Sequence, residues 1–220
     1  MTNVTEIILI RHGETAWNAV RRLQGHLDIP LNEEGVRQAR ALGMALRDEP
    51  LDAIFSSDLM RARQTAEAIA APRGMAVQID DDLRERCYGA FEGMLYADIG
   101  ARFPEAYAAW QAREIDARFP AGVNTAETLR EFHARAVDAI VRIVSENTYR
   151  KVAMVAHGGV LECAYRAAQG ISFDRPRDFD IFNASVNRFR WDGECLTLLQ
   201  WGDVAHLAAL ESDALDEIDK

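Results

Sequence analysis

The apolar run Ile7-Ile8-Leu9-Ile10 stops abruptly at Arg11-His12-Gly13-Glu14-Thr15. A short β-branched run ending near a turn glycine reads as a buried strand opening into a loop. Two further junctions share this form. Lys151-Val152-Ala153-Met154-Val155-Ala156 ends at His157-Gly158-Gly159, and Ala53-Ile54-Phe55 ends at Ser56-Ser57-Asp58. Apolar helical patterns follow both. Strands alternating with helices predict an α/β fold with a largely parallel sheet, whose strand ends lie on one edge. That edge would gather Arg11 with His12, Arg61 and His157.

These residue types suit an anionic ligand. A neutral imidazole is a nucleophile near neutral pH, and a guanidinium grips oxyanions with a rigid fork of donors. Ser56-Ser57-Asp58 offers N-cap chemistry for a helix from Leu59, which would place Arg61 in a first turn where the helix dipole also favours an anion. Taken alone, Arg11-His12 equally fits a partly buried structural histidine beside a solvent-facing arginine. The repetition of the junction is what points to phosphorus chemistry.

The periodicity places Val36, Ala39, Leu42, Gly43 and Leu46 on one face of a helix within 31–47, capped by Asn32 and followed by Pro50. Val77 to Ile79 is a short strand. Leu129, Phe132, Ala136, Ile140, Ile143 and Val144 form one face of a long helix starting at Asn124 or Thr125. Ser185 to Trp191 and Cys195 to Trp201 flank Asp192-Gly193, a hairpin signal. No repeat or linker interrupts the 220 residues, so the expectation is one domain over 1–220.

A net charge of −10 argues against nucleic-acid or anionic-membrane partners. With Lys151 and Lys220 the only lysines, nearly all positive charge is arginine, and Arg37, Arg40 and Arg47 read as a solvated helix face. The acidic stretch from Glu211 to Asp219 reads as a solubilising terminus. Scattered Cys87, Cys163 and Cys195 do not suggest a disulfide framework, and the N-terminal apolar run is too short for a membrane span, so a cytoplasmic location is expected. His12, His26, His133, His157 and His206 match no chelating spacing, and arginines around His12 and His157 would repel a cation, so no metal is expected.

The ordered motifs resemble the histidine phosphatase superfamily, which includes the cofactor-dependent phosphoglycerate mutases. The resemblance runs through Arg11-His12-Gly13-Glu14-Thr15-Ala16-Trp17-Asn18, the stretch from Gln24 to Leu31, Ser57 to Ala66, Leu83 to Gly93, His157-Gly158-Gly159 and the pattern from Asn183 to Leu207. It implies a three-layer α/β/α sandwich with a mostly parallel central sheet and a small helical lid. It implies that His12 is the nucleophile that becomes phosphohistidine, and that Arg11, Arg61 and His157 clamp the phosphate. Asn18, Gln24, Gly25 and Gly158 join them as binding residues, and His157 would act best as a cation or donor. Glu85 is implied as proton donor, with Glu92 the competing carboxylate and Glu14 a supporting residue. No cofactor is implied, except 2,3-bisphosphoglycerate should the chain be a mutase.

By the same plan, 96–124 is the lid that selects a small phosphorylated metabolite. Its Phe103-Pro104, Tyr107, Trp110 and Phe119-Pro120 would equally make ordinary aromatic packing. The mutases resembled here carry a basic pair followed by a serine-tyrosine segment in this region. This chain has Trp110-Gln111-Ala112-Arg113-Glu114 instead, which favours a phosphatase over a mutase, and both over a non-catalytic phosphate-binding protein. An edge strand or a lid helix would serve for a homodimer, and the sequence does not choose.

Overall fold

The computed structural model describes residues 4–208. Its six strands are β1 (Thr5–Arg11), β2 (Ala53–Ser56), β3 (Val77–Ile79), β4 (Lys151–Ala156), β5 (Val186–Trp191) and β6 (Leu196–Asp203). They form one sheet in the order β3-β2-β4-β1-β5-β6. The first four of that order run parallel, and the β5–β6 hairpin adds on antiparallel beside β1. The helices are α1 (Ala16–Ala19), α2 (Glu33–Ala45), α3 (Met60–Ala70), α4 (Tyr96–Arg102), α5 (Pro104–Gln111), α6 (Leu129–Ser145) and α7 (Gly158–Gln169).

Alternation along β1 builds both halves of the core. Ile7 and Leu9 pack with Phe132, Ile140 and Leu161 of α6 and α7, while Ile8 and Ile10 face Leu42, Ala66 and Ile69 of α2 and α3. All four β1 side chains are fully buried, each contributing about 1.5–3 kcal/mol of apolar transfer. The result is the three-layer sandwich expected.

Two helix starts differ from the sequence reading. The long helix begins at Leu129 behind Thr128, where a capping box with Glu131 satisfies two backbone donors reciprocally. Asn124 instead donates its amide to Glu92 Oε2 at 3.0 Å. At α3 the cap position is Leu59, and Ser56 and Asp58 are committed elsewhere: Ser56 Oγ donates to the Ser57 carbonyl, and Asp58 pairs with Arg84. Ser57 Oγ accepts weakly from Leu59 N–H, and the distant Asp28 carboxylate takes Met60 N–H at 2.6 Å. Asn32 does cap α2, accepting from Gly35 N–H. Arg37, Arg40 and Arg47 are exposed, and the acidic stretch 211–219 lies outside the described residues. Cys87, Cys163 and Cys195 are free. Among the described residues, no helix is long and apolar enough to cross a membrane.

Candidate active site

Register explains why distant residues meet. Arg11 lies opposite Ala156, and Ser56 opposite Val155, so the chain leaves β1, β2 and β4 at one level. From β1 the chain crosses toward β2, while from β4 it crosses the other way toward β5. The crevice between such strands is where open α/β sheets bind ligands. A cavity of about 630 Å³ opens there, lined by Arg11, His12, Asn18, Gln24, Gly25, Arg61, Glu85 and Gly158.

His12 is 3% exposed. Its Nδ1 lies 2.6 Å from the Gly13 carbonyl oxygen, so Nδ1 carries the hydrogen and Nε2 keeps its lone pair. Burial, then Arg61, then Arg11 hold the ring's pKa well below the imidazole range, which keeps it neutral. Arg11 donates from one terminal nitrogen to the Ile181 carbonyl, while its buried Nε has no acceptor among the described residues. An unsatisfied buried donor costs about 1–3 kcal/mol, and an arriving oxyanion would remove that cost.

Arg61 is 1% exposed, and burial lowers its pKa to about 10, still far above neutrality. It donates to the Gly25 and Leu27 carbonyls at 2.8 and 2.9 Å and from Nε to His157 Nδ1 at 3.2 Å. Three of its five N–H donors are thus spent on orientation, leaving two for a ligand. Gly25 fits here because its φ is +53° and a Cβ would lie 2.1 Å from Glu92 Oε1.

His157 differs from the expectation of a cation. It is fully buried behind Arg61 and does not line the cavity. Nδ1 accepts from Arg61, so Nε2 carries the hydrogen and donates to Ser57 Oγ at 2.9 Å. Burial, Arg61 and the His12 ring 5.1 Å away hold its pKa well below the usual value, so the ring is neutral without a ligand. Ser57 was legible only as a helix cap; its role here needed the β2–β4 pairing to appear.

The two candidate carboxylates separate cleanly. Glu85 lines the cavity, its oxygens accepting Arg86 N–H at 2.8 Å and Gly159 N–H at 3.0 Å. Glu92 binds the backbone N–H of His26 and Tyr88 with one oxygen and Asn124 with the other. It ties three loops together and does not line the cavity. Glu14 accepts from Asn32 at 2.7 Å, supporting the loop from below. Asn18 Oδ1 takes Thr15 N–H, which leaves its NH2 group without a hydrogen bond to the described residues. Gln24 accepts from Thr15 Oγ1. Sequence reading did not single out Arg21, Tyr88, Tyr96 or Arg177 as cavity residues. Tyr88 sits inside the Leu83–Gly93 motif and Tyr96 opens the expected lid segment, but neither pattern shows that the side chain reaches the cavity, and no motif covers Arg21 or Arg177.

The Histidine phosphatase superfamily (branch 1) matches residues 7–204. This chain belongs to that superfamily. It is 40% identical over 205 residues to Phosphoglycerate mutase-like protein 4 of Arabidopsis thaliana, covering 92% of this chain and 86% of that one. To the Metal-independent phosphoserine phosphatase of the same plant it is 36% identical over 212 residues, covering 95% and 86%. Among solved structures, Bacillus stearothermophilus YhfR superposes with a TM-score of 0.84 at 33% identity, covering 92% and 99% of the two chains. The relatives of this chain thus include both phosphatase-named and mutase-named proteins. Among the described residues no three His, Cys, Asp or Glu side chains are grouped to hold a metal ion.

Proposed function

We propose that this histidine phosphatase is a metal-independent phosphomonoesterase acting on a small phosphorylated metabolite through phosphohistidine. The observation that carries the reading is the His12 ring, neutral, with Nδ1–H tied to Gly13 and Nε2 free beside the buried Arg61 and half-buried Arg11. Phosphoryl transfer needs an in-line nucleophile, cationic donors around the equatorial oxygens and a proton for the leaving group. His12 Nε2 attacks phosphorus, and the bond to the leaving oxygen breaks as Glu85 gives that oxygen a proton. Water then attacks the phosphohistidine, returning its proton to Glu85, and the P–N bond breaks to release phosphate. Arg11, Arg61 and the Asn18 amide hold the equatorial oxygens throughout. His157 stays a neutral acceptor for Arg61 Nε–H, which holds that guanidinium toward the phosphate.

Segment 96–124 supports hydrolysis over mutase chemistry. Only Tyr96 of that segment reaches the phosphate cavity, whereas Arg113 turns away to Glu162 and the Phe173 carbonyl. No cation from this segment lines the phosphate cavity itself. The similarity to Phosphoglycerate mutase-like protein 4 keeps a 2,3-bisphosphoglycerate-dependent mutase as the second reading. The test pairs phosphate release with interconversion of 3- and 2-phosphoglycerate, with and without 2,3-bisphosphoglycerate. Phosphate release with little interconversion is expected, and His12→Ala should abolish both turnover and covalent labelling. Fast interconversion with little free phosphate would overturn the phosphatase reading.

A further inference from the structure

The phosphate cavity does not end at the phosphate. It shares Tyr88, Tyr96 and Arg177 with a second cavity of about 410 Å³. The first is already of a size that holds a complete small ligand, so the second is additional room for the group esterified to phosphate. Building on the phosphomonoesterase reading, we propose that this second chamber receives the leaving group, and that the substrate is the phosphate ester of a hydroxylated acid longer than three carbons.

The donor inventory of the chamber sets the chemistry. Arg113 uses Nε on the Phe173 carbonyl at 2.8 Å and one terminal nitrogen on Glu162 Oε1 at 2.6 Å, leaving the other terminal nitrogen unspent. Arg86 is 5% exposed, spends Nε and one terminal nitrogen on the Glu127 carbonyl, and leaves its second terminal nitrogen open. Arg177 makes no hydrogen bond among the described residues and stands 3.8 Å from Glu162 Oε2. Glu162 Oε2 itself accepts no hydrogen bond there, whereas Oε1 is saturated by Arg113 and Arg166. Four guanidiniums (Arg86, Arg113, Arg166 and Arg177), three of them with open donors, thus line the chamber with two carboxylates, Glu114 and Glu162, an excess of positive charge. The complementary ligand is rich in acceptors, carries negative charge, and has a hydroxyl to donate to Glu162.

The walls agree. Trp110, Phe119 and Phe132 line the same chamber, giving a carbon backbone apolar faces to lie against. Arg113 is fixed in place as the left-handed residue that closes α5 (φ +53°), its own N–H on the Trp110 carbonyl and Glu114 N–H on the Ala109 carbonyl. An uncharged aryl group would fill the volume but leave the guanidiniums without acceptors. A simple three-carbon acid would leave the chamber empty.

The test measures kcat/KM for p-nitrophenyl phosphate, 3-phosphoglycerate, glucose 6-phosphate and 6-phosphogluconate, alongside calorimetric binding of the last three. Two variants are compared with the wild type: Arg113→Met, and Ala109→Trp, which fills the chamber from α5 without removing a polar group. Circular dichroism melts establish that both are folded. The expected result is a preference of about tenfold or more for 6-phosphogluconate over 3-phosphoglycerate and over glucose 6-phosphate. Both variants should lose that preference. Equal specificity constants in the wild type, or a preference that Ala109→Trp leaves intact, would overturn the chamber assignment. Should glucose 6-phosphate match 6-phosphogluconate, the acid requirement is wrong. If no ester is hydrolysed, the phosphomonoesterase reading fails by itself, and binding decides the chamber: tighter 6-phosphogluconate binding that Ala109→Trp removes supports it, and equal binding overturns it.

Discussion

His12 and His157 enter the folded core as neutral rings, and this links stability to pH in a definite direction. Burial and the neighbouring arginines depress both native pKa values, so the unfolded chain takes up protons that the native state refuses. Well above the unfolded imidazole pKa of ~6.5 neither state is protonated and the full stability is present. As pH falls below that value, stability is lost, with a limiting slope of about 1.4 kcal/mol per pH unit for each ring. The two together approach about 2.7 kcal/mol per unit, a sizeable part of a domain's typical 5–15 kcal/mol. The assay is urea unfolding followed by circular dichroism at several values between about pH 8 and 5. Wild type is compared with His12→Gln/His157→Gln, whose amides do not titrate. His133 and His206, also shifted down by burial, are present in both proteins and cancel in the difference. The buffer must be free of phosphate, because an anion bound beside the rings stabilises the native state by itself and changes their proton affinity. Parallel pH dependence in the two proteins would refute the claim that these rings are held neutral.

Glu85→Gln should slow phosphorylation of His12 by roughly 10²–10⁴ on alkyl phosphates, and far less on p-nitrophenyl phosphate, in rapid-quench measurements. Glu92→Gln should show no such leaving-group dependence, because that carboxylate joins loops outside the cavity. Gly159→Ala should imitate Glu85→Gln, since its Cβ would lie 2.1 Å from Glu85 Oε1 and 2.9 Å from the Phe132 ring, forcing the carboxylate out of place. Asp28→Ala removes the acceptor at the start of α3 and should cost about 0.5–2 kcal/mol in urea unfolding, with a raised KM because Arg61 sits in that turn.

Local pattern carried the elements that depend on nearest neighbours. The buried apolar run of β1, the Asn32 cap, the Val77–Ile79 strand and the Asp192-Gly193 hairpin were legible because hydrophobic runs and turn chemistry are short-range. Where a cap was supplied or claimed from a distance, the reading moved. Asp28 serves Met60 across 32 positions, and Ser57 turns to His157 across 100. The segment with Trp110 and Phe119 makes the aromatic packing expected of it. Phe91 and Phe119 stack at 4.6 Å in a buried cluster, and Trp110 and Phe119 also wall the second chamber.

The sequence by itself determined the sheet class, the strand ends that carry Arg11, His12, Arg61 and His157, and membership of a superfamily defined by those motifs. Only the tertiary structure decided which carboxylate faces the cavity, that His157 is a neutral ring behind Arg61, and that a second chamber with open guanidiniums adjoins the first. The physical reason is range. A strand end is fixed by the residues beside it, whereas a desolvated ring, an unspent donor or a shared cavity wall exists only once remote segments have excluded water between them.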